Sequence, residues 1–394
     1  LEVGFRPALE AAEFDRALEL AKAAGDDEKV DEVLWARLST GPDDEAARAL
    51  EENFSARSDL KSLWRLAERL EQVDRADDAA RLWLGRLRAG DAQALQRLLA
   101  LNRARQAAPL VLELGRADLV EALLPAADQL DGASKEELFA KGAELLPTRA
   151  RALTATLAQR YKESGRGQEA AEALAKLAAL EEDPLARAAL HVERGELLKT
   201  TLARPDEARL AFERALADDQ DSVVAVRQLT ELYQGADADR FVAMAERLAV
   251  LAGPVALERW HAALAEAYEG LGRLKDAYRH LSELGDELPM LQRRAALAEK
   301  VGFTGEALSL QERIATDDVE RARILEGYVR ADLVPFAVRL GQQLLERDAL
   351  SLERQRLLAE RLSGTEQGSE LAAALWPKLL LPNPLDADGW TLFA

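Results

Sequence analysis

The chain has no cysteine in its 394 residues. Disulfides, thiolate zinc sites, iron–sulfur clusters and cysteine nucleophiles are excluded together, and no compartment is thereby chosen. Aromatic residues make up only 5% of the sequence, so a core has to be built mainly from Leu, Ala and Val. The β-branched and aromatic residues that strands favour are sparse, while the strong helix formers Ala and Leu abound. No apolar run approaches the ~18–20 residues that a membrane span requires, and no direct membrane insertion is expected of this segment. Histidine is confined to His191, His261 and His280. No H-E-x-x-H pair or other spaced ligand set accompanies them, so they read as partly exposed packing positions rather than metal ligands or catalytic groups. There is no G-x-x-x-x-G-K-[ST], no G-x-G-x-x-G after a strand and no G-x-S-x-G, which removes the usual phosphate loops and the nucleophile elbow. Basic residues are outnumbered: Lys and Arg total 52 against 71 Asp and Glu, a net charge of -19. Such a balance argues against nucleic acid and against an anionic membrane surface, and is compatible with a basic partner. No cofactor, no metal and no enzymatic activity are expected in this segment.

What the sequence does contain is helical. Its 48% apolar residues recur at i, i+3, i+4 and i+7 in one segment after another. The breaks are Gly25-Asp26-Asp27, Gly41-Pro42-Asp43, Asp183-Pro184, Gly253-Pro254 and Pro382-Asn383-Pro384. Proline suits a helix start, where its missing N–H would be unpaired anyway. Pro125 and Pro377 instead fall inside helical patterns, where a kink or break is expected. Strand alternation is absent. The length exceeds one ordinary core, so either several domains or an extended repeat array is expected.

The helices repeat. The clearest unit, residues 261–289, reads HAALAEAYEGLGRLKDAYRHLSELGDELP. Leu264, Ala265 and Tyr268 share one face of a first helix, Gly272 ends it, Ala277, Leu281 and Leu284 form the inner face of a second, and Pro289 closes the unit. The same residue classes return at Leu157, Ala158, Tyr161, Gly165, Ala170, Leu174 and Leu177, and then at Gly195, Leu198, Ala208, Phe212 and Ala215. Leu229 and Tyr233 open a unit whose second helix fits poorly. Further copies are marked by Ala295, Ala298, Gly302 and Ala307, by Tyr328 and Ala337, by Ala359, Leu362, Ala372, Trp376, Leu379 and Pro384, and near the start by Ala67, Leu70, Ala79 and Trp83. Small residues let paired helices approach, and large ones fill the remaining space. Ala277, Ala307, Ala337 and Ala372 are spaced by 30, 30 and 35 residues. The expected period is ~34, so some helices must be trimmed.

In these residues the chain resembles the tetratricopeptide repeat family, in the multi-repeat form of bacterial proteins. The resemblance implies an all-α, right-handed superhelical solenoid of antiparallel helix pairs, about 10–11 repeats with some degenerate. Four stretches are expected: N-terminal repeats over 1–91, an irregular helical segment over 92–149, well-formed repeats over 150–290, and C-terminal repeats over 291–394. The opening at Leu1 and the ending shortly after Trp390, the large residue of a further first helix, read as cuts from a longer parent. The compartment is left open: cytoplasmic by default, periplasmic or envelope-associated if the parent carries a signal.

In this family the first helices of successive repeats line a concave face. The resemblance places Arg259, Ala262, Glu266 and Glu269 there, with Arg227 and Glu231, Glu196 and Lys199, and Gln159 and Lys162 from neighbouring units. That lining is mixed and mostly acidic, and suits a basic or mixed peptide. One family use, a clamp for a peptide's C-terminal carboxylate, needs paired Asn. The three here (Asn53, Asn102 and Asn383) occupy none of those positions, so no clamp is expected. Acidic pairs such as Asp43-Asp44 and Glu181-Glu182 read as helix ends and polar faces. Trp35, Trp64, Trp83, Trp260 and Trp376 read as core. The expected function is a non-catalytic scaffold that docks other proteins or peptides within an assembly. The alternatives are a sensor solenoid that binds a peptide or small ligand and controls an attached effector domain, and a helical arm of an enzyme.

Overall fold

The computed structural model describes residues 2–393, so that Leu1 and Ala394 lie outside it. Among the described residues are 25 α-helices, two 3-10 helices and no strand. The chain divides into two compact units, Leu1–Ala211 and Phe212–Ala394. The division falls inside the helix Pro205–Asp218.

In the first unit consecutive helices pack as neighbours, for example Leu60–Gln72 on Ala76–Arg88 and Pro147–Glu163 on Gly167–Leu180. One core of buried residues runs from Leu34 to Leu157 and includes Leu66, Ala67, Leu70, Ala79 and Trp83. Residues 92–149 hold three short helices, Ala92–Ala100, Ala104–Leu114 and Ala117–Leu123, then a 3-10 helix, Leu124–Gln129, and the longer Gly132–Leu145. Leu95, Leu98, Val111, Val120 and Leu138 from this stretch are fully buried in the same core. Pro125 is the second residue of the 3-10 helix, where the tighter i→i+3 pattern takes over from the α-helix. Pro377 does not break its helix, contrary to expectation. Ser369–Leu380 runs through it, because Pro377 lies within the last turn and its own carbonyl still accepts the Leu381 amide at 3.1 Å.

The second unit stacks five successive helix pairs. The first is Val223–Tyr233 with Ala238–Ala252, and the second is His261–Gly270 with Leu274–Ser282. Leu288–Val301 with Thr304–Ile314, Asp318–Arg330 with Val334–Glu346, and Leu352–Leu362 with Ser369–Leu380 follow, and Ala387–Phe393 comes last. The poor fit expected after Tyr233 is corrected. Ala238–Ala252 is a 15-residue helix with Phe241, Val242, Ala245 and Leu248 buried. Val242 occupies the place of Ala277, and the small residue falls about one turn later, at Ala245. A second correction concerns Leu284. Leu274–Ser282 is only 9 residues long, so Leu284 lies beyond its end and is half-buried. This trimmed helix helps account for the 30-residue spacing that follows Ala277.

Aspartates start many of these helices. Asp43 accepts the Ala46 amide at 2.8 Å, and its other oxygen accepts Arg37 Nε at 2.9 Å. Burial opposes the charge, but these two donors outweigh it and hold the carboxyl below its ordinary range. Asp26, Asp59, Asp131, Asp237 and Asp317 cap in the same way. Many acids that look like a surplus in the sequence are therefore backbone caps. Glu181 departs from the expected polar face. It is buried beyond the end of Gly167–Leu180, 2.6 Å from Arg151.

In the first four pairs of the second unit the turn holds one residue with positive φ. Gly272 and Gly302 supply it at φ 73° and 87°, and Asp332 supplies it at 56° in the next repeat. The residue after each donates its amide five places back: Arg273 to Tyr268, Phe303 to Ala298 and Leu333 to Tyr328, at 2.8–2.9 Å. Asp tolerates the left-handed region better than most residues but still carries a Cβ. Asp332→Gly is expected to stabilise the second unit by about 0.5–1 kcal/mol, read from the midpoint of urea unfolding. An unchanged or lower midpoint would count against this account of the turn.

Candidate docking surface

The nine expected contact residues fall in both units, and each group stands by itself. In the first unit, Gln159 is exposed and donates to Glu163 at 2.7 Å, one turn along its own helix. Lys162 pairs with Glu193 of Pro184–Thr200. That helix also carries Glu196, exposed, and Lys199, half-buried.

In the second unit, Arg227 is exposed on Val223–Tyr233, and Glu231 of the same helix pairs with Arg259. Arg259 is not on the α-helix where the repeat pattern places it. It belongs to the 3-10 helix Pro254–Trp260, and its guanidinium lies 4.2 Å from the Trp260 ring centre. Pro254 and the Gly253 break start the turn early, so the α-helix begins only at His261. Glu269 pairs with Arg293 at 2.7 Å.

The bare acidic lining read from the sequence is thus partly neutralised. An arginine roughly one repeat along reaches back to Glu231 and to Glu269, and the same device recurs at Arg273–Glu246, Arg339–Glu312 and Arg354–Glu326, at 2.7–3.0 Å. Each such partly exposed pair contributes only about 0–1 kcal/mol, but together they remove free charge from the faces between repeats.

Glu266 is the exception in the second unit. It is exposed on His261–Gly270, and its carboxylate has no ion pair or hydrogen bond among the described residues. It borders a cavity of about 480 Å³. One side of the cavity is the helix face Ala263, Glu266, Ala267 and Gly270, and the other is the preceding turn from Gln234 to Ala238, with Phe241 beneath. The walls are small residues, which leave room for a long side chain. Asp237 adds a second carboxylate, which accepts the Arg240 amide at 3.0 Å and pairs with the Arg240 guanidinium at 3.4 Å.

The tryptophans divide. Trp83, Trp260 and Trp376 are buried, as expected of core residues. Trp35 and Trp64 are only half-buried. Arg86 lies 3.2 Å above the Trp64 ring, beside a second cavity of about 520 Å³ in the first unit.

Sequence reasoning missed one arrangement. His261 and His280 meet, with their Nδ1 atoms 2.9 Å apart. His280 is buried rather than partly exposed, and its ring stacks on Tyr268 at 5.3 Å with a 9° interplanar angle. Burial, then the neighbouring His261 and Arg279, push its pKa down from 6.5 to about 4. The signal was available: His261 lies 10 residues before the Leu271–Arg273 turn and His280 7 after it, so an antiparallel pair brings them within reach of each other. Among the described residues no group of three or more potential metal ligands occurs, and no helix is long and apolar enough to cross a membrane.

The buried small residues Ala265 and Ala277, the left-handed turn between paired helices and the packing of successive pairs define a tetratricopeptide-type helical repeat fold. No family model matches the chain, and no curated protein matches it. Among solved structures, a tetratricopeptide repeat protein from Parabacteroides merdae shares 12% identity over 62% of this chain and 98% of its own, with a TM-score of 0.31. The C-terminal part of a repeat protein from Cytophaga hutchinsonii shares 14% over 71% of this chain and 100% of its own, with a TM-score of 0.29. The repeat domain of P58(IPK) shares 14% over 97% and 96%, with a TM-score of 0.26.

Proposed function

We propose that the chain is a non-catalytic scaffold that docks other proteins, and that the cavity beside Glu266 receives a basic side chain of the partner. The observation that carries this reading is the unpaired Glu266 carboxylate at the edge of a small-walled cavity of about 480 Å³, on a face where the neighbouring carboxylates Glu231 and Glu269 are already paired. An Arg or Lys stem fits against Ala263, Ala267 and Phe241, and its head reaches Glu266 and Asp237. Among the other expected contact residues, Lys162, Glu231, Arg259 and Glu269 contribute paired rather than free charge.

The test is a fluorescence titration of the intact chain with Arg/Lys-rich and Glu-rich peptides of matched length. The basic peptide is expected to bind more tightly, with affinity falling as salt rises. Glu266→Lys is expected to weaken it about tenfold, near 1.4 kcal/mol, with the melting temperature unchanged. Equal binding of both peptides, or an unaffected Glu266→Lys variant, would overturn the reading.

A further inference from the structure

We propose that the His261–His280 contact is an acid-sensitive latch at the start of the helix that walls the Glu266 cavity, closed while the facing nitrogens share one proton and forced open when each carries one. Its effect on the partner rests on the docking reading above, but the latch itself does not.

The geometry comes first. At 2.9 Å, one Nδ1–H can donate to the other ring's bare Nδ1. Two protons would set two donors, and two positive rings, against each other at that distance. The rings cannot simply slide past. His280 is buried in Leu274–Ser282 and stacked on Tyr268, whose hydroxyl donates to Glu246 at 3.0 Å. Burial and then Glu246 hold that hydroxyl protonated, with its pKa pushed up to about 12, so the stack persists throughout the range in question.

The surrounding charges are divided. On the helix of His280, Arg279 opposes a proton, while Asp276 and the following Glu283 favour it. His261–Gly270 contributes His261 itself, and Ala238–Ala252 contributes Glu246, held by Tyr268 and Arg273. The 3-10 helix before His261 carries Arg259, which is paired with Glu231. Leu288–Val301, which packs on Leu274–Ser282, brings Arg293 and Arg294, held by Glu269 and Asp286.

The direction follows from linkage. An unfolded His280 takes its proton near 6.5, and the folded one only near 4. The stability conferred by the unprotonated ring is therefore complete above the unfolded value. It is lost progressively as pH falls from about 6.5 towards about 4. The helix that would part carries Ala263, Glu266 and Gly270, one side of the cavity.

The test is hydrogen exchange by mass spectrometry on the intact chain between about pH 7 and about pH 4.5, corrected for intrinsic rates. Residues 261–282 are expected to lose at least about tenfold more protection than residues 318–346, and His261→Asn, which leaves the burial of His280 in place, is expected to reduce the difference. His280→Asn is the companion variant. Should that buried replacement not fold, the half-exposed His261→Asn carries the test alone. Parallel loss in both segments, or a selective loss that is undiminished in His261→Asn, overturns the latch. The basic peptide is titrated alongside, at both ends of the pH range. Selective opening without any binding at neutral pH leaves the latch standing and sinks the docking reading. Binding at neutral pH without selective opening does the reverse. Binding that survives selective opening severs the link between latch and cavity.

Discussion

Ala277→Arg is expected to cost about 3–5 kcal/mol, the largest effect of any single change in the best-formed repeat. Ala277 is fully buried, on a helix that packs directly against His261–Gly270, where Ala265 is also fully buried. A buried small residue on each helix lets the two approach closely. An arginine at that place has to force the helices apart or bury its guanidinium without a partner, and both are costly. The matched control is Ala262→Arg, an exposed position on the neighbouring helix, expected to stay within about 0.5 kcal/mol. Urea unfolding followed by circular dichroism separates the two. In a repeat array each element leans on its neighbours, so the loss in Ala277→Arg should appear as early unfolding of the second unit. Equal midpoints for the two variants would mean that the tight helix contact is not what holds this repeat.

Trp83→Ala carries the second large effect, about 3–5 kcal/mol, in the first unit. Trp83 is among the largest fully buried side chains, and it sits within the core that runs from Leu34 to Leu157. Truncation there leaves a void in that core, between helices packed on either side of Ala76–Arg88. The indole also donates to Glu71 at 2.5 Å, and Arg97 lies 5.9 Å from its ring centre. Trp83→Phe keeps most of the packing and loses the hydrogen bond, so a smaller loss of about 1 kcal/mol is expected. A pair of denaturation curves distinguishes the terms. If Phe and Ala cost the same, the hydrogen bond to Glu71 rather than the filled volume dominates.

Much of the repeat was legible because its signals are local. Gly272 and Gly302 lie where the turn needs positive φ, and the alanines at 277, 307 and 337 lie where helices touch. These are properties of residue type and spacing. The same reasoning misplaced what depends on exact helix length. Leu284 was assigned to a helix that ends at Ser282, and Arg259 to an α-helix that begins at His261. A proline or a trimmed turn shifts a helix end by a few residues, and the faces beyond it rotate accordingly. Ala238–Ala252 shows the opposite error: its small residue comes a turn late, yet the helix packs, because Val242 is tolerated where Ala is usual.

The candidate surface shows the deeper division. The sequence by itself determined the helical class, the pairing of neighbours and the acidic balance, because amphipathic spacing, turn residues and charge are written along the chain. Only the tertiary structure decided which charges are free. Glu231 and Glu269 are matched by Arg259 and Arg293, which lie 28 and 24 residues further along, and Glu266 between them is not. It likewise brought His261 to His280 across a turn, changing a pair of unremarkable packing positions into a contact that only one proton can bridge. Charge pairing and burial depend on distances between residues remote in sequence. Those distances follow from helix lengths and crossing geometry, which residue spacing constrains only loosely.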